Sequence, residues 1–114
     1  MRSSSALPLA VAALSLAACS PGSPDAPTGP DGQVDPVLEM GQSVYENECA
    51  RCHGAEGGGG FGPKMADGQV VIVYPDIADE IDIIANGRNG MPAFADRLDP
   101  DEIEAVARYT REAL

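Results

Sequence analysis

Apolar residues recur at helical spacing in three separate stretches of the chain, and each stretch begins at an aspartate beside a proline. An aspartate side chain accepts hydrogen bonds from the free N–H groups of a first helical turn, and proline fits the first helical position. We therefore predict helices that begin near Asp35, Asp76 and Asp99, with Asn86-Gly87 ending the second helix. The predicted inner faces are Val37, Met40, Gly41, Val44, Tyr45; Ile77, Ile81, Ile84; and Ile103, Val106, Ala107, Thr110.

Two stretches between these helices do not follow the helical period. Residues 70–74 read VVIVY, a run of β-branched residues that favours an extended segment or a short hairpin arm. Residues 54–62 contain six glycines, which excludes a regular element and indicates backbone that passes close to a bulky group. The pattern as a whole predicts a small helical domain interrupted by one glycine-rich loop.

The first predicted helix runs into Cys49-Ala50-Arg51-Cys52-His53, which has the C-x-x-C-H spacing of a c-type haem attachment site. On a helical turn, two thiols three residues apart point to one side, so both can add to the vinyl groups along one edge of a porphyrin. His53 then offers an imidazole nitrogen to the iron. The motif predicts one covalently bound haem c held by Cys49, Cys52 and His53.

Two other kinds of site use the same cysteine spacing. A thioredoxin-like dithiol needs a strand-helix-strand pattern around the cysteines, and the sequence around Cys49 has no such pattern. A structural zinc site needs four ligands, and the chain offers three cysteines and one histidine. Since Cys19 is assigned to another role below, the haem interpretation is favoured.

Three methionines beyond Met1 are candidates for the second iron ligand. Met40 lies on the apolar side of the first predicted helix and is interpreted as core. Met65 follows His53 closely, whereas Met91 lies beyond a whole predicted helix and can reach the opposite face of the ring. We predict Met91 as the ligand, since a thioether opposite histidine raises the haem potential and closes the iron to peroxide or oxygen.

The N-terminus reads as a targeting segment followed by a tether. The positively charged Met1-Arg2 and the apolar run from Ala6 to Leu16 are typical of a signal peptide. The apolar run is too short to span a bilayer. Leu16-Ala17-Ala18-Cys19 resembles a bacterial lipobox, which implies cleavage before Cys19 and lipid on its sulfur. We predict a signal peptide over residues 1–18, a lipidated, proline- and glycine-rich tether over 19–34, and the folded domain over 35–114.

Composition restricts the partners. The chain has 18 acidic and 7 basic residues, a formal net charge of −11. Nucleic acid is excluded as a partner because its phosphates would be repelled. Protein partners with basic docking surfaces would be attracted, although the same acidic residues could simply keep an exported domain dispersed. The lipid at Cys19 predicts a membrane as the other contact, with the protein exported and anchored on the periplasmic or extracytoplasmic side.

Over residues 35–114 the chain resembles the class I c-type cytochromes of the bacterial mono-haem type. The resemblance is carried by CARCH, FGPKM and NGRNGMPAF, together with Gly41, Tyr45 and Tyr109, which match a helix-crossing trio of that family. It implies Met91 as the second iron ligand, a hydrogen bond from the axial histidine to the Pro63 carbonyl, and Met65 against the ring. No tryptophan is present for the propionates, and Tyr74, Arg88 and Arg97 are unassigned substitutes.

The resemblance implies an all-α fold of three to four helices wrapped around one haem. It also implies reversible one-electron transfer between a donor and an acceptor protein, with no small-molecule substrate and no catalysed bond-making. Two alternatives stay open. The domain could be the haem subunit of a larger dehydrogenase or oxidase complex, or a haem-based gas sensor or peroxidase if Met91 does not occupy the iron.

Overall fold

The computed structural model describes residues 26–114, and the described part is helical. Its elements are α1 (Pro36–Val44), a π-helical turn (Tyr45–Cys49), α2 (Ala50–His53), α3 (Gln69–Val73), α4 (Ile77–Asn86) and α5 (Pro100–Glu112). Within residues 26–114 the extended structure is limited to two isolated bridges. Since α1, the π-helical turn and α2 follow one another without a break, residues 26–114 form four helical segments, which confirms the all-α prediction.

The three predicted helix starts are confirmed by their capping hydrogen bonds. Asp35 and Asp76 each accept a bond from the backbone N–H two residues on, at 2.8 and 2.9 Å. Asp99 forms a reciprocal capping box with Glu102, with both bonds at 3.0 Å. The second predicted helix, α4, ends at Gly87 with φ of +74°, a conformation that glycine adopts without strain.

The first and last helices cross at Gly41, as the resemblance implied. An added Cβ at Gly41 would lie 2.1 Å from the Ala105 carbonyl oxygen of α5 and 2.7 Å from the Tyr109 Cβ. The Tyr45 and Tyr109 rings close the crossing with centroids 5.6 Å apart. The two helices therefore meet backbone to backbone, and the aromatic pair fills the space beside the contact.

The inner face of α1 was predicted incorrectly in part. Leu38 is 3% exposed and belongs to the core, whereas Val37 and Met40 are 39% and 44% exposed. The interpretation of Met40 as core is therefore wrong. The close approach at Gly41 sets the rotation of α1 against α5, and that rotation turns Leu38 inward and Met40 outward.

The prediction of an extended segment at residues 70–74 is wrong, because Gln69–Val73 forms α3. A lone strand would leave its backbone groups without partners. In α3 the Ile72 N–H reaches the Gly68 carbonyl at 3.1 Å, and the Tyr74 N–H reaches the Val70 carbonyl at 2.8 Å. Val70 is buried, while Ile72 is 70% exposed. Local hydrogen bonding therefore decided this segment against its β-propensity.

The predicted tether, residues 19–34, lies partly within the described residues. Thr28 and Val34 form an antiparallel bridge, and the Asp35 N–H donates to the Pro27 carbonyl at 3.1 Å. Residues 27–34 thus form a turn against the start of α1. The signal peptide and Cys19 lie outside the described residues. Between residues 26 and 114, no helix has the length and apolar character that crossing a membrane requires.

Candidate functional site

His53 at the end of α2 is held in one tautomer. It is 8% exposed, and its Nδ1 lies 2.9 Å from the Pro63 carbonyl oxygen. A carbonyl can only accept a hydrogen bond, so Nδ1 carries the proton and donates it. Nε2 then keeps its lone pair, which is the form of imidazole that binds a metal. The geometry agrees with the hydrogen bond that the resemblance implied.

The glycine-rich loop packs against His53 itself. An added Cβ at Gly62 would lie 2.8 Å from the imidazole Cε1, so only glycine lets the backbone pass here. The Gly62 N–H donates to the Cys52 carbonyl at 2.8 Å, and the Gly59 N–H donates to the His53 carbonyl at 2.8 Å. The loop therefore satisfies the free carbonyls at the end of α2 and holds the imidazole in place. Sequence reasoning did not identify Gly62 as a site residue, although it lies next to Pro63.

Tyr45, directly after α1, binds the backbone just beyond the end of α2. Its side chain is fully buried, and its hydroxyl donates to the Gly54 carbonyl at 2.8 Å. Burial raises the pKa of Tyr45 to about 12, so the hydroxyl remains a donor at neutral pH. Tyr45 also opens the π-helical turn that leads to Cys49. The residue therefore serves both the helix crossing and the attachment motif.

Cys49 precedes the first residue of α2 and Cys52 lies within that helix; both are free thiols and partly buried. Burial chiefly, and then the charge of Glu48, raises the pKa of Cys49 to about 11. The thiol is therefore protonated at neutral pH, whereas dithiol oxidoreductases use a cysteine whose pKa is lowered. This property argues against the thioredoxin-like alternative.

Two of the three candidate methionines reach the core. Met65 and Met91 are partly buried and pack, with Cys49, against the cluster that contains Ile84, Phe94 and Leu98. Met40 is 44% exposed on α1 and is not part of that cluster. Cys49, Met65 and Met91 therefore each border the apolar core, whereas Met40 does not.

Met91 lies in a short turn built on the end of α4. Arg88 and Met91 form an antiparallel bridge, with the Arg88 N–H to the Met91 carbonyl at 3.1 Å and the reverse bond at 2.9 Å. An added Cβ at Gly87 would lie 2.6 Å from the Met91 carbonyl oxygen, so the backbone passes closely here as well. The thioether is therefore carried by a turn whose backbone is held at both ends.

The three candidates for contacts with the haem propionates, Tyr74, Arg88 and Arg97, lie in two different places. The Arg88 guanidinium lies 3.5 Å from the Tyr74 hydroxyl, so these two side chains are neighbours. Arg97 instead pairs with Glu48 at 3.3 Å and lies over the Phe94 ring, 4.6 Å from its centroid. Phe61 is 89% exposed, and an added Cβ at Gly90, one residue before Met91, would lie 4.0 Å from its ring.

These residues fit a covalent haem c. The two free thiols can form thioethers, the His53 tautomer leaves Nε2 for iron, and the methionines beside the apolar cluster suit a large apolar ring. Among residues 26–114, no group of three or more histidine, cysteine, aspartate or glutamate side chains is placed to bind a bare metal ion. The zinc alternative therefore lacks a ligand set in the described residues.

Comparison with known proteins places this chain among the c-type cytochromes. Residues 36–109 match the family described as cytochrome c oxidase, cbb3-type, subunit III. Cytochrome c6 of Bryopsis maxima is 39% identical over 77 residues, covering 63% of this chain and 86% of that protein. The cbb3-type cytochrome c oxidase subunit FixP of Azorhizobium caulinodans is 35% identical over 77 residues, covering 65% of this chain and 26% of the subunit.

Solved structures show the same fold. Cytochrome c6 of the diatom Phaeodactylum tricornutum is similar with a TM-score of 0.54 and 31% identity, covering 64% of this chain and 88% of that one. Cytochrome cL of Hyphomicrobium denitrificans is similar with a TM-score of 0.57 and 28% identity, covering 66% of this chain and 46% of that one. This chain therefore spans most of a cytochrome c6 but under half of cytochrome cL. With the family match over α1 to α5, the chain belongs to the c-type cytochrome family of cbb3-type subunit III and cytochrome c6, and its cofactor is covalent haem c.

Proposed function

We propose that this protein is a one-electron carrier between redox proteins, with Cys49 and Cys52 as the haem attachment sites and His53 and Met91 as the iron ligands. Bound haem c supplies an iron that alternates between the ferric and ferrous states, so one electron is taken from a donor and passed to an acceptor. The polypeptide holds the ligands, excludes water from the ring and adjusts the potential.

The observation that carries this proposal is the hydrogen bond from His53 Nδ1 to the Pro63 carbonyl at 2.9 Å. It presents Nε2 as a metal ligand beside two thiols that form no disulfide. A carbonyl that accepts a hydrogen bond from the other ring nitrogen orients the imidazole and raises its basicity. Such a rigid ligand suits electron transfer, because little has to rearrange when the charge of the iron changes.

Met91 is a better candidate than Met65 for the second ligand, although both pack against the same cluster. The Met65 N–H donates to the Gly57 carbonyl at 2.8 Å, within the loop that holds His53. Its side chain therefore belongs to the histidine side of the site, where it can contact the ring. Met91 comes from a separate turn after α4, which leaves it free to supply the other axial bond.

The visible spectrum of the purified protein tests this function. We expect a low-spin c-type spectrum when reduced, no change with carbon monoxide, and a weak far-red sulfur-to-iron band when oxidised. Carbon monoxide needs an open axial position, so a protein with both ligands in place does not bind it. A high-spin spectrum, or one that shifts with the gas, would favour the gas sensor or peroxidase alternative and remove Met91 from the iron.

A second candidate function is a haem subunit of a larger membrane oxidase or dehydrogenase. The match to a family described as an oxidase subunit favours it, as does the likeness to FixP, of which this chain spans about a quarter. Gentle detergent extraction followed by size separation distinguishes the two functions. A carrier elutes alone, whereas a subunit elutes with the other chains of its complex.

We also infer that the protein is exported and held at the membrane by lipid on Cys19, on the strength of Leu16-Ala17-Ala18-Cys19. Replacing Cys19 by alanine is expected to move the haem protein from the membrane fraction to the supernatant, because acyl chains supply the anchoring energy. Ser20→Ala, which leaves the sulfur in place, is the control. Equal membrane retention of the wild type and of Cys19→Ala would contradict the inference.

A further inference from the structure

The turn that carries Met91 is attached to α4 at both of its ends. It leaves α4 through Gly87, whose N–H donates to the Ile83 carbonyl at 2.8 Å. It returns through Phe94 and Ala95, whose N–H groups donate to the Ile84 and Ala85 carbonyls at 3.0 and 3.1 Å. Because both ends of the turn are bonded to α4, a movement of α4 is transmitted to Met91.

The position of α4 against α5 is set by a buried carboxylate, Glu80. This side chain, on the core side of α4, is 4% exposed. One of its oxygens accepts a hydrogen bond from the Thr110 hydroxyl of α5, and the other pairs with the Arg111 guanidinium at 3.3 Å. Glu80 therefore binds two successive residues of α5 at once.

Arg111 extends this contact to the start of α4. Its guanidinium donates to the Tyr74 carbonyl at 2.7 Å and to the Pro75 carbonyl at 2.9 Å. One arginine thus joins α5 to the α3–α4 connection and to Glu80. We name Glu80, Thr110 and Arg111 the α4 clamp. A buried carboxylate is costly to leave without partners, so the clamp favours one arrangement of α4 over all displaced ones.

We propose that Glu80 is a positioning residue for the axial ligand: the α4 clamp fixes α4 on α5, and α4 fixes the turn from which Met91 reaches the iron. The inference rests on the proposed assignment of Met91 as a ligand. It concerns how firmly that ligand is held, since a loosened α4 raises the fraction of molecules in which Met91 has left the iron. Glu80 itself is assigned no contact with the haem.

Imidazole added to the oxidised protein measures that fraction. It binds iron only when the axial position is free, so its apparent affinity rises in proportion to the Met91-dissociated population. For Glu80→Gln, which keeps the shape of the side chain but loses the ion pair with Arg111, we expect about a tenfold tighter apparent imidazole affinity. Hydrogen exchange of residues 87–95 in the holoprotein is expected to accelerate as well.

Asp35→Asn is the matched control. Asp35 also pairs with an α5 arginine, Arg108, at 3.1 Å, but it joins α5 to the start of α1, and none of its hydrogen bonds or ion pairs within residues 26–114 goes to α4. The two variants make the same carboxyl-to-amide change and lose the same kind of partner. Asp35→Asn is expected to lower the free energy of unfolding and to leave the imidazole affinity at the wild-type value.

Thr110→Val provides a second variant if the Glu80→Gln holoprotein does not accumulate, because it removes only the hydroxyl donor and keeps the ion pair. We expect a smaller increase in imidazole affinity, about threefold. Wild-type affinities in both α4 clamp variants, with the far-red band present in the wild type, would overturn the positioning role alone. A wild type without that band would overturn the ligand assignment itself, and this inference with it.

Discussion

Replacing Met91 by alanine is expected to abolish the far-red sulfur-to-iron band and to let the reduced protein bind carbon monoxide. The midpoint potential is expected to fall by a few tenths of a volt, on the order of the shifts that axial ligands produce within their span of about 0.8 V. The reason is that a thioether opposite histidine stabilises the ferrous state, and alanine cannot replace it. Spectroelectrochemical titration of the purified protein measures both effects.

Met65→Leu and Met40→Leu are the matched controls for this experiment. Met65 packs beside the same cluster as Met91, and leucine keeps its apolar volume there. Met40 is 44% exposed on α1. Both variants are expected to keep the far-red band. Loss of the band in Met65→Leu, with its retention in Met91→Ala, would reverse the assignment of the two methionines.

Replacing Gly41 by alanine is expected to destabilise the protein, even though alanine favours helices. The helical preference contributes about 1 kcal/mol in favour of alanine. Against it, the added Cβ would lie 2.1 Å from the Ala105 carbonyl oxygen and 2.7 Å from the Tyr109 Cβ, where backbone cannot yield. Overpacking of this kind costs about 3 kcal/mol, so the free energy of unfolding should fall by about 2 kcal/mol. Denaturant titration of the holoprotein measures the change.

Gly58→Ala is the control, because an added Cβ at Gly58 meets no atom within 4 Å and its backbone is not in the left-handed region. Its effect on the free energy of unfolding is expected to stay within about 0.5 kcal/mol. A Gly41→Ala protein as stable as Gly58→Ala would show that α1 and α5 do not cross at this residue.

Local signals in the sequence were sufficient for the helix ends and for the attachment motif. Asp35, Asp76 and Asp99 cap the helices that they were predicted to begin, because a capping bond depends only on residues within one turn. The C-x-x-C-H spacing likewise acts within a single turn, from Cys49 to His53. The comparisons agree with the family that this motif indicated.

Two of the longer-range contacts were beyond sequence reasoning. The α4 clamp joins Glu80 to Thr110 and Arg111. Helical spacing puts Glu80 on the inner face of α4, between Ile77 and Ile84, but no local signal identifies its partners on α5. Gly62 was one of six glycines in a loop, and only its contact with the His53 ring shows why glycine is required there. In each case the partner lies several residues or a whole helix away along the chain.

The sequence by itself determined the chemistry of this protein: a haem attachment motif, the capped helices around it and the three methionines from which an axial ligand can come. The tertiary structure alone decided that Leu38 rather than Met40 faces the core and that α4 is clamped to α5 through Glu80. The physical reason is the range of the interactions. Caps and covalent attachment act within one turn, whereas burial and buried ion pairs depend on how whole helices pack.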